Sequence, residues 1–478
     1  MLDDTQEIVG EFVIDGARVG GSHHAAIRNP ANGHKVGQVP LAGADELERA
    51  VAAARRAFPD WSTAPDTVRK EACLSIAAAL GEQAEPLARL LTREQGKPLS
   101  GPGSRFELEA CQGWAAATAA LDLPVEVIQD DEAGRIEVHR RPIGVVASIL
   151  PWNWPLMIAT WHILPAIRAG NTVVAKPSPH TPLSSLAMLS VVADALPPGV
   201  LNVVTGDNAL GEALTTHPKV DKIVFTGSIA TGRKVMAAAS ADLKRVTLEL
   251  GGNDPGIVLP DADPEAIAEN LFWGSFLNSG QTCACLKRLY LHDSIHDAVV
   301  ERLVRLAETV PMGDGLDEAN VLGPLQNRMQ FDVVSELVKD ARSRGASILT
   351  GGAPTGEGLF YPITLITDAT DDMRVVAEEQ FGPVLPILRY SDLDDAIARA
   401  NSGPEGLGAS IWTRDRARAR ELAARLQAGS VWINEHGAVN PMVPFGGVKQ
   451  SGIGVEFGLD GLKEYTSVQS VFDNRQPA

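Results

Sequence analysis

The chain has 478 residues, of which 45% are hydrophobic and 21% are charged, so it is long enough for two or three domains with large buried cores. Its formal net charge of -18 and its pI near 5.0 argue against general binding of nucleic acids or anionic membranes. Residues 1–7 are acidic and lack the apolar core of a secretory leader, and no apolar run is long enough to span a bilayer. We therefore expect a cytoplasmic protein that binds neither nucleic acid nor membrane.

The four cysteines, at positions 73, 111, 283 and 285, are too few and too irregularly spaced for a disulfide scaffold or a paired zinc site. Cys73 and Cys111 lie within predicted helices, where packing as small buried side chains is the favoured interpretation. This pattern fits a reducing compartment with free thiols, and we expect no metal site.

Short apolar runs begin to alternate with helical patterns at residue 142, after alanine-rich helices predicted over 44–58 and 65–80. Strands are predicted at 144–150, 170–176, 200–204, 222–225 and 245–250. This alternation predicts a parallel, doubly wound sheet, which binds ligands at the carboxyl ends of its strands. The residues at those ends are Asn153, Lys176, Gly206 and Gly227.

The alternation restarts after Gly252, with strands predicted at 257–259, 289–291, 347–350, 384–388 and 429–434. Helices are predicted between them at 264–278, 293–309, 326–344 and 414–427. The pattern indicates a second α/β domain that contains Cys283. The cleft between the two domains is the expected place for an active site.

Two further segments resemble β-strands but fit neither sheet. Residues 122–141 predict a two-stranded ribbon, and residues 465–472 predict an alternating strand near the C-terminus. Because an isolated hairpin is marginally stable in water, we expect both segments to pair with something else. Another subunit is the natural partner.

Cys283 and Glu249 are the candidate reactive groups. Cysteine is a good nucleophile for a carbonyl carbon, and glutamate is a suitable base for activating water. Asn153 stands between two prolines in residues 151–155, where its side-chain amide could stabilise an oxyanion; a rigid turn with two packed tryptophans is the alternative.

The sequence contains no Gly-x-Gly-x-x-Gly fingerprint for a dinucleotide. Gly227 and Ser228 open a helix after the fourth predicted strand, which is an arrangement that can bind an anion. Taken alone, this pattern is better explained as a plain junction between a strand and a helix.

Seven motifs in this order resemble the aldehyde dehydrogenase superfamily over nearly the whole chain; they lie at residues 151–155, 176–178, 225–232, 248–252, 280–283, 378–384 and 444–452. The resemblance implies a Rossmann-like, doubly wound NAD(P)-binding domain over residues 1–121 and 142–250. It also implies an α/β catalytic domain over 251–455. Residues 122–141 and 456–478 would then form a small β ribbon for assembly into a homodimer or homotetramer.

The resemblance also implies a mechanism. Cys283 would attack an aldehyde to form a thiohemiacetal, with the oxyanion held by the Asn153 side chain and the Cys283 backbone amide. Hydride transfer to the nicotinamide would leave a thioester, and water activated by Glu249 would release the carboxylic acid. Family members that transfer the acyl group to coenzyme A look different at the position of Glu249, so this residue favours hydrolysis.

The residues that would contact the cofactor by resemblance are Trp152, Lys176, Gly206, Gly227, Ser228, Leu250, Glu379 and Phe381. Lys176 would hold the adenosine ribose, Ser228 would meet the pyrophosphate, and Glu379 would bind the nicotinamide ribose. Pro179 stands where many NAD-preferring members carry a glutamate, so NADP or dual use is an alternative. NAD is favoured, because no arginine or lysine stands close by in sequence to receive a 2′-phosphate.

The expected substrate pocket has apolar walls, which indicate an apolar or aromatic aldehyde; they are Trp154, Met157, Trp161, Leu277 and Phe445. Cys285 is interpreted as a packed residue, with a pocket wall or an oxidised pair with Cys283 as alternatives. Glu456 matches a glutamate that some members use in proton relay, or it is a charge near a subunit interface.

Two other functions remain open at this point. The chain could be a non-catalytic cofactor-binding or structural protein on the same fold, or a Cys283 esterase that needs no cofactor.

Overall fold

The computed structural model describes residues 7–475; residues 1–6 and 476–478, at the ends of the predicted cofactor domain and ribbon segment, lie outside the described range. The described chain is a mixed α/β structure. Its α-helices are Ala44–Thr63, Asp66–Glu82, Ala84–Gln95, Ser104–Ala120, Pro155–Arg168, Pro182–Asp194, Asn208–Thr216, Ile229–Ser240, Pro264–Phe276, His296–Thr309, Arg328–Ser343, Arg374–Ala377, Leu393–Asn401, Arg416–Ala423 and Gly458–Lys463.

The first large sheet contains the five predicted strands as neighbouring parallel strands. The run of five parallel strands starts at the central strand Val145–Ile149, proceeds outward on one side and then continues on the other, which is the doubly wound arrangement. Antiparallel strands extend both edges. In spatial order the strands are Gly452–Ile453, Arg245–Leu250, Lys222–Gly227, Val145–Ile149, Thr172–Lys176, Leu201–Val203, Phe12–Ile14 and Ala17–Val19.

The second large sheet confirms the predicted second α/β unit. Its strands are parallel except at one edge, and they pack between helices that bury apolar faces on both sides. In spatial order they are Ser347–Ile348, Thr364–Thr367, Val384–Tyr390, Leu286–His292, Asp254–Val258, Gly408–Trp412 and Ser430–Ile433. The strands at 364–367 and 408–412 had no counterpart in the sequence prediction.

The ribbon differs from the prediction in one respect. The strands Glu126–Asp130 and Gly134–Pro142 form the expected hairpin, but their partner is the C-terminal strand Thr466–Asn474 of the same chain. This antiparallel ladder runs from the pair Thr466 and Pro142 to the pair Asn474 and Gly134. The two segments therefore pair with each other within one chain, and pairing with another subunit stays a prediction.

The first predicted helix continues past its expected end at residue 58. The helix Ala44–Thr63 includes Pro59, a residue type that disfavours a helix interior. Beyond the proline, Trp61 is 3% exposed, and its indole N–H donates a hydrogen bond to the Ile167 carbonyl over 3.0 Å. Tertiary packing of this tryptophan outweighs the local cost of the proline.

Three strands near the N-terminus form a small additional sheet that was not predicted; they are Ile8–Val9, Lys35–Pro40 and His24–Arg28.

None of the described helices combines the length and hydropathy needed to cross a bilayer.

Candidate active site

Two hydrogen bonds bring the Asn153 loop against the loop that carries Cys283. The Asn153 Nδ2 group donates to the Gln281 carbonyl over 3.0 Å, and Trp154 Nε1 donates to the Thr282 hydroxyl over 2.9 Å. Asn153 follows a central strand of the first sheet, while Cys283 precedes the middle strand of the second. The structure therefore brings the predicted amide donor and the predicted nucleophile together.

The backbone just before the thiol has an uncommon conformation. Asn278, Ser279 and Gly280 all have positive φ angles, of 53°, 55° and 75°. A Cβ atom at Gly280 would lie 2.1 Å from the Gly382 carbonyl oxygen, so only glycine fits there. The Asn278 side chain donates to the Asn153 carbonyl over 3.0 Å. Strain of this kind persists where the surrounding contacts hold it, and here those contacts include the Asn153 loop.

Glu249 and Cys283 are buried neighbours. Glu249 is 3% exposed, and neither of its carboxyl oxygens has a hydrogen-bond partner among the described residues. Burial raises the pKa of Glu249 to about 8, while the Cys283 thiol acts in the opposite direction. Burial and the Glu249 charge raise the pKa of Cys283 well above its usual value. Glu249 can therefore exchange a proton near neutral pH, beside the thiol.

Lys176 and Ser228 line one edge of the first sheet. Lys176 is 3% exposed, and its ammonium donates to the Pro177 carbonyl over 3.2 Å, which leaves two donors unused by the described residues. Ser228 is the N-cap of the helix Ile229–Ser240, and its hydroxyl accepts from the Thr231 amide over 3.3 Å. Unused donors and a helix N-terminus fit the ribose hydroxyls and pyrophosphate of a dinucleotide.

The glycines at this edge have no room for a side chain. A Cβ atom at Gly227 would lie 2.5 Å from the Phe225 ring, and one at Gly206 would lie 2.6 Å from the Leu210 side chain. Both glycines follow strands of the first sheet, at their carboxyl ends. Any larger residue at either position would therefore clash with these neighbouring side chains.

The remaining predicted cofactor residues are Trp152, Phe381, Glu379 and Leu250. The Trp152 and Phe381 rings meet edge to face with centroids 5.4 Å apart. The Glu379 carboxylate accepts a hydrogen bond from the Gly252 amide over 3.2 Å, which places it beside the end of the strand that carries Glu249. Leu250 is 5% exposed and packs in the core of the first sheet.

The predicted pocket walls share one apolar cluster with the thiol. Trp154, Met157, Trp161 and Phe445 are all buried in the hydrophobic cluster that contains the Cys283 side chain, and Leu277 packs against it while partly exposed. The predicted pocket walls therefore belong to the same buried apolar cluster as the thiol.

Cys285 lies in a turn at the end of the thiol loop. Its amide donates to the Thr282 carbonyl over 3.3 Å, and its sulfur lies 3.9 Å from the Leu277 carbonyl oxygen. Burial raises the pKa of the Cys285 thiol to about 11. These contacts favour packing over reactivity for this residue.

Glu456 faces inward near Glu249. It is 2% exposed, and its carboxyl oxygens have no hydrogen-bond partner among the described residues. Burial raises its pKa well above the usual value, and the Glu249 charge adds to this effect. The His162 ring lies 3.8 Å away and bonds to the Ser148 and Thr226 hydroxyls, as expected for a satisfied core histidine.

The sequence prediction did not include the ion pair beneath Asn153. The Lys97 ammonium donates to the Asn153 carbonyl over 2.8 Å and to the Glu107 carboxylate. Glu107 also accepts hydrogen bonds from the Leu156 and Met157 amides, over 2.8 and 3.0 Å. Both charged side chains are fully buried. A lysine in a glycine–proline loop and a glutamate in a helix carry no pattern that predicts this pair.

The chain resembles known proteins over most of its length. A family model described as "Aldehyde dehydrogenase family" matches residues 19–471. The chain belongs to the aldehyde dehydrogenase family. It is similar to a phenylacetaldehyde dehydrogenase from Pseudomonas fluorescens, with 39% identity over 93% of this chain and 91% of the relative.

Solved structures agree with this membership. A betaine aldehyde dehydrogenase from Staphylococcus aureus, in complex with NAD+, has a TM-score of 0.94 and 32% identity over 98% of this chain and 95% of that one. An NADP-dependent enzyme from E. coli has a TM-score of 0.95 and 37% identity, covering 97% and 98% of the two chains. The chain is an aldehyde dehydrogenase that uses a nicotinamide dinucleotide to oxidise an aldehyde.

The Lys97–Glu107 pair yields a test of how this aldehyde dehydrogenase supports Asn153. In Lys97→Met the Glu107 carboxylate remains buried without its cation, so the free energy of unfolding should fall by about 3–5 kcal/mol. kcat should fall as well, because the Asn153 loop loses a donor. Urea unfolding and initial rates of NADH formation measure the two effects.

Lys70→Met is the matched control, since Lys70 pairs with Asp66 and Asp122 near the surface. Its effect on the free energy of unfolding should stay below about 1 kcal/mol, with kcat unchanged. Equal stability losses in the two variants would contradict a supporting role for the buried pair.

Proposed function

We propose that this aldehyde dehydrogenase converts apolar or aromatic aldehydes to free carboxylic acids, with Cys283 as nucleophile, Glu249 as base and Asn153 as oxyanion donor. The observation that carries the proposal is the convergence of these three buried residues from both large sheets. Asn153 contacts the loop of the thiol directly through Gln281. Glu249 and Cys283 perturb each other's pKa values.

In the first step the Cys283 thiolate attacks the aldehyde carbon, and a C–S bond forms. The negative charge that develops on the aldehyde oxygen needs donors that are already in place. The Asn153 amide group has a second N–H beyond the one bound to Gln281. The Cys283 backbone amide bonds to none of the described residues and is the second candidate donor.

The residues proposed to hold the dinucleotide are Lys176 at the adenosine ribose, Ser228 at the pyrophosphate and Glu379 at the nicotinamide ribose. Other residues proposed to line its site are Trp152, Gly206, Gly227, Leu250 and Phe381. When bound, the nicotinamide supplies the acceptor for the hydride of the thiohemiacetal. Cys283 then retains the acyl group as a thioester.

Glu249 completes the reaction by accepting a proton from the water that attacks the thioester. A base with a pKa of about 8 is well matched to proton transfer near neutral pH. The C–S bond then breaks, and the acid leaves. Glu456, buried nearby, is proposed to receive protons from Glu249.

The substrate class follows from the apolar walls around the thiol. Cys283 shares a buried cluster with aromatic and aliphatic side chains, and the Lys97 ammonium over the Trp154 ring is occupied by Glu107 and the Asn153 carbonyl. A substrate carboxylate therefore finds no partner among these residues. A Pseudomonas fluorescens relative is named for phenylacetaldehyde, an aromatic aldehyde.

The predicted domain division, a cytoplasmic location and assembly into a homodimer or homotetramer belong to the same proposal. The division assigns residues 1–121 and 142–250 to cofactor binding, 251–455 to catalysis, and 122–141 with 456–478 to the ribbon. Exposed apolar side chains on the ribbon support assembly, since Ile128 and Phe472 are 64% and 73% exposed.

The first test distinguishes the roles of Cys283, Cys285 and Glu249 in the reaction. Cys283→Ala should abolish NADH formation from phenylacetaldehyde, whereas the matched variant Cys285→Ala should retain it. Glu249→Gln should release about one NADH per site rapidly and then turn over slowly. In the wild-type enzyme the deacylation rate should rise with pH through about 8, where Glu249 ionises, and this rise should vanish in Glu249→Gln.

Residual dehydrogenase activity in Cys283→Ala would overturn the mechanism. Hydrolysis of an ester substrate without NAD(P), together with no oxidation of any aldehyde, would instead indicate an esterase. Cofactor binding without activity across a wide aldehyde panel would indicate a non-catalytic binding protein.

The second test concerns the choice of NAD. Burial lowers the pKa of Lys176 to about 8, and the Asp207 carboxylate acts in the opposite direction. Asp207 begins the helix Asn208–Thr216, in which Gly211 lies close to the Lys176 side chain. A carboxylate here would repel a 2′-phosphate and so takes the role of the glutamate that Pro179 replaces.

We therefore expect kcat/KM to be higher with NAD than with NADP. Asp207→Ser keeps an N-cap but removes the charge, and it should raise the NADP to NAD ratio of kcat/KM roughly fivefold. Asp242→Ser removes an exposed charge from another helix end and serves as the control. An unchanged ratio in Asp207→Ser would contradict this role.

A further inference from the structure

Lys287 binds three parts of the site at once. Its side chain is 3% exposed and lies on the strand Leu286–His292, directly after the thiol loop. The ammonium donates to the Cys283 carbonyl over 2.7 Å, to the Gly252 carbonyl over 3.0 Å and to the Glu379 carboxylate. All three donors of the ammonium therefore have an acceptor.

The three acceptors come from segments that are distant in sequence and differ in function. Gly252 lies just after the strand Arg245–Leu250, which contains Glu249. Cys283 is the proposed nucleophile, and Glu379 is the proposed ligand of the nicotinamide ribose. Glu379 also accepts from the Gly252 amide over 3.2 Å. Lys287 thus lies where the base, the thiol and the cofactor residue meet.

The ammonium keeps its charge despite burial. Burial lowers the pKa of Lys287, but the Glu379 and Asp254 carboxylates outweigh it, so the pKa is raised. The same charge lowers the pKa values of Glu249 and Cys283, against the effect of burial. A fixed positive charge beside a buried thiol favours the reactive thiolate.

We propose that Lys287 is a positioning residue that fixes the Cys283 backbone and the Glu379 carboxylate together and stabilises the thiolate. The inference rests on the proposed roles of Cys283 and Glu379 and adds a residue to them. The bond to the Cys283 carbonyl orients the peptide unit next to the attacking sulfur. The bond to Glu379 holds this carboxylate ready for a ribose hydroxyl, so one side chain couples cofactor binding to thiol reactivity.

Arg288 offers a matched control on the same strand. Its buried guanidinium donates to the Asn253 and Ala400 carbonyls, over 2.8 and 2.9 Å, and not to the catalytic loop. Arg288→Met therefore removes an equally buried cation with a structural role only. A loss that appears in Lys287→Met and not in Arg288→Met cannot be ascribed to general destabilisation.

The experiment measures two properties that do not depend on turnover. The first is the pH midpoint for alkylation of Cys283 by iodoacetamide in the enzyme without cofactor, followed by peptide mass spectrometry. The second is the Kd of NAD+ from titration calorimetry. In Lys287→Met the alkylation midpoint should move to higher pH, and the Kd should rise about tenfold, as expected for a lost charge-assisted hydrogen bond. Lys287→Arg keeps the charge and should restore the midpoint.

A wild-type midpoint and Kd in folded Lys287→Met would overturn the inference. If the methionine variant does not fold, Lys287→Gln decides: it keeps polar donors without the charge, and an unchanged alkylation midpoint in it would overturn the inference equally. The proposed function has a separate check, because alkylation of Cys283 must inactivate the wild-type enzyme. Activity that survives this alkylation would refute the proposed function whatever the Lys287 variants show.

Discussion

The removal of Glu249 from water is the constraint on which the rest of the site depends. In solvent this carboxyl group would be a weak base, but burial raises its pKa to about 8. Burial also raises the free-energy cost of ionising the nearby thiol and carboxyl groups together. A buried cation is required to offset their negative charges. Lys287 supplies that charge from the strand that follows the thiol. The basicity of Glu249 and the position of the Lys287 charge therefore depend on each other.

The geometry of the site depends on how the two large sheets present their strand ends. Each sheet is built from buried apolar strands, and its polar side chains appear where the strands stop. Asn153 comes from the first sheet and bonds to the Gln281 carbonyl beside the thiol of the second. The left-handed backbone at 278–280 turns the thiol loop towards this contact. A site assembled from two rigid sheets keeps its reacting groups in place without a bound ligand.

Much of this arrangement could be predicted from the sequence. The alternation of apolar strands and helices predicted the first sheet, and the motifs predicted Cys283, Glu249 and Asn153, because both features are local. The long-range features could not be predicted. Lys97 and Lys287 look like ordinary lysines until the fold buries them, and Pro59 predicts a helix end that the packing of Trp61 overrides. The pairing of the C-terminal strand with the hairpin depends on contacts more than three hundred residues apart.

The central claim is that the acyl group resides on Cys283 until Glu249 activates water. It is tested most directly by mixing Glu249→Gln with phenylacetaldehyde and NAD+, quenching in acid, and analysing the peptides by mass spectrometry. The account predicts one acyl group per chain, on the peptide that contains residues 280–285, assigned to Cys283 by fragmentation and formed only when NAD+ is present. An acyl group on Cys285, or none on Cys283 despite a burst of NADH, would contradict it.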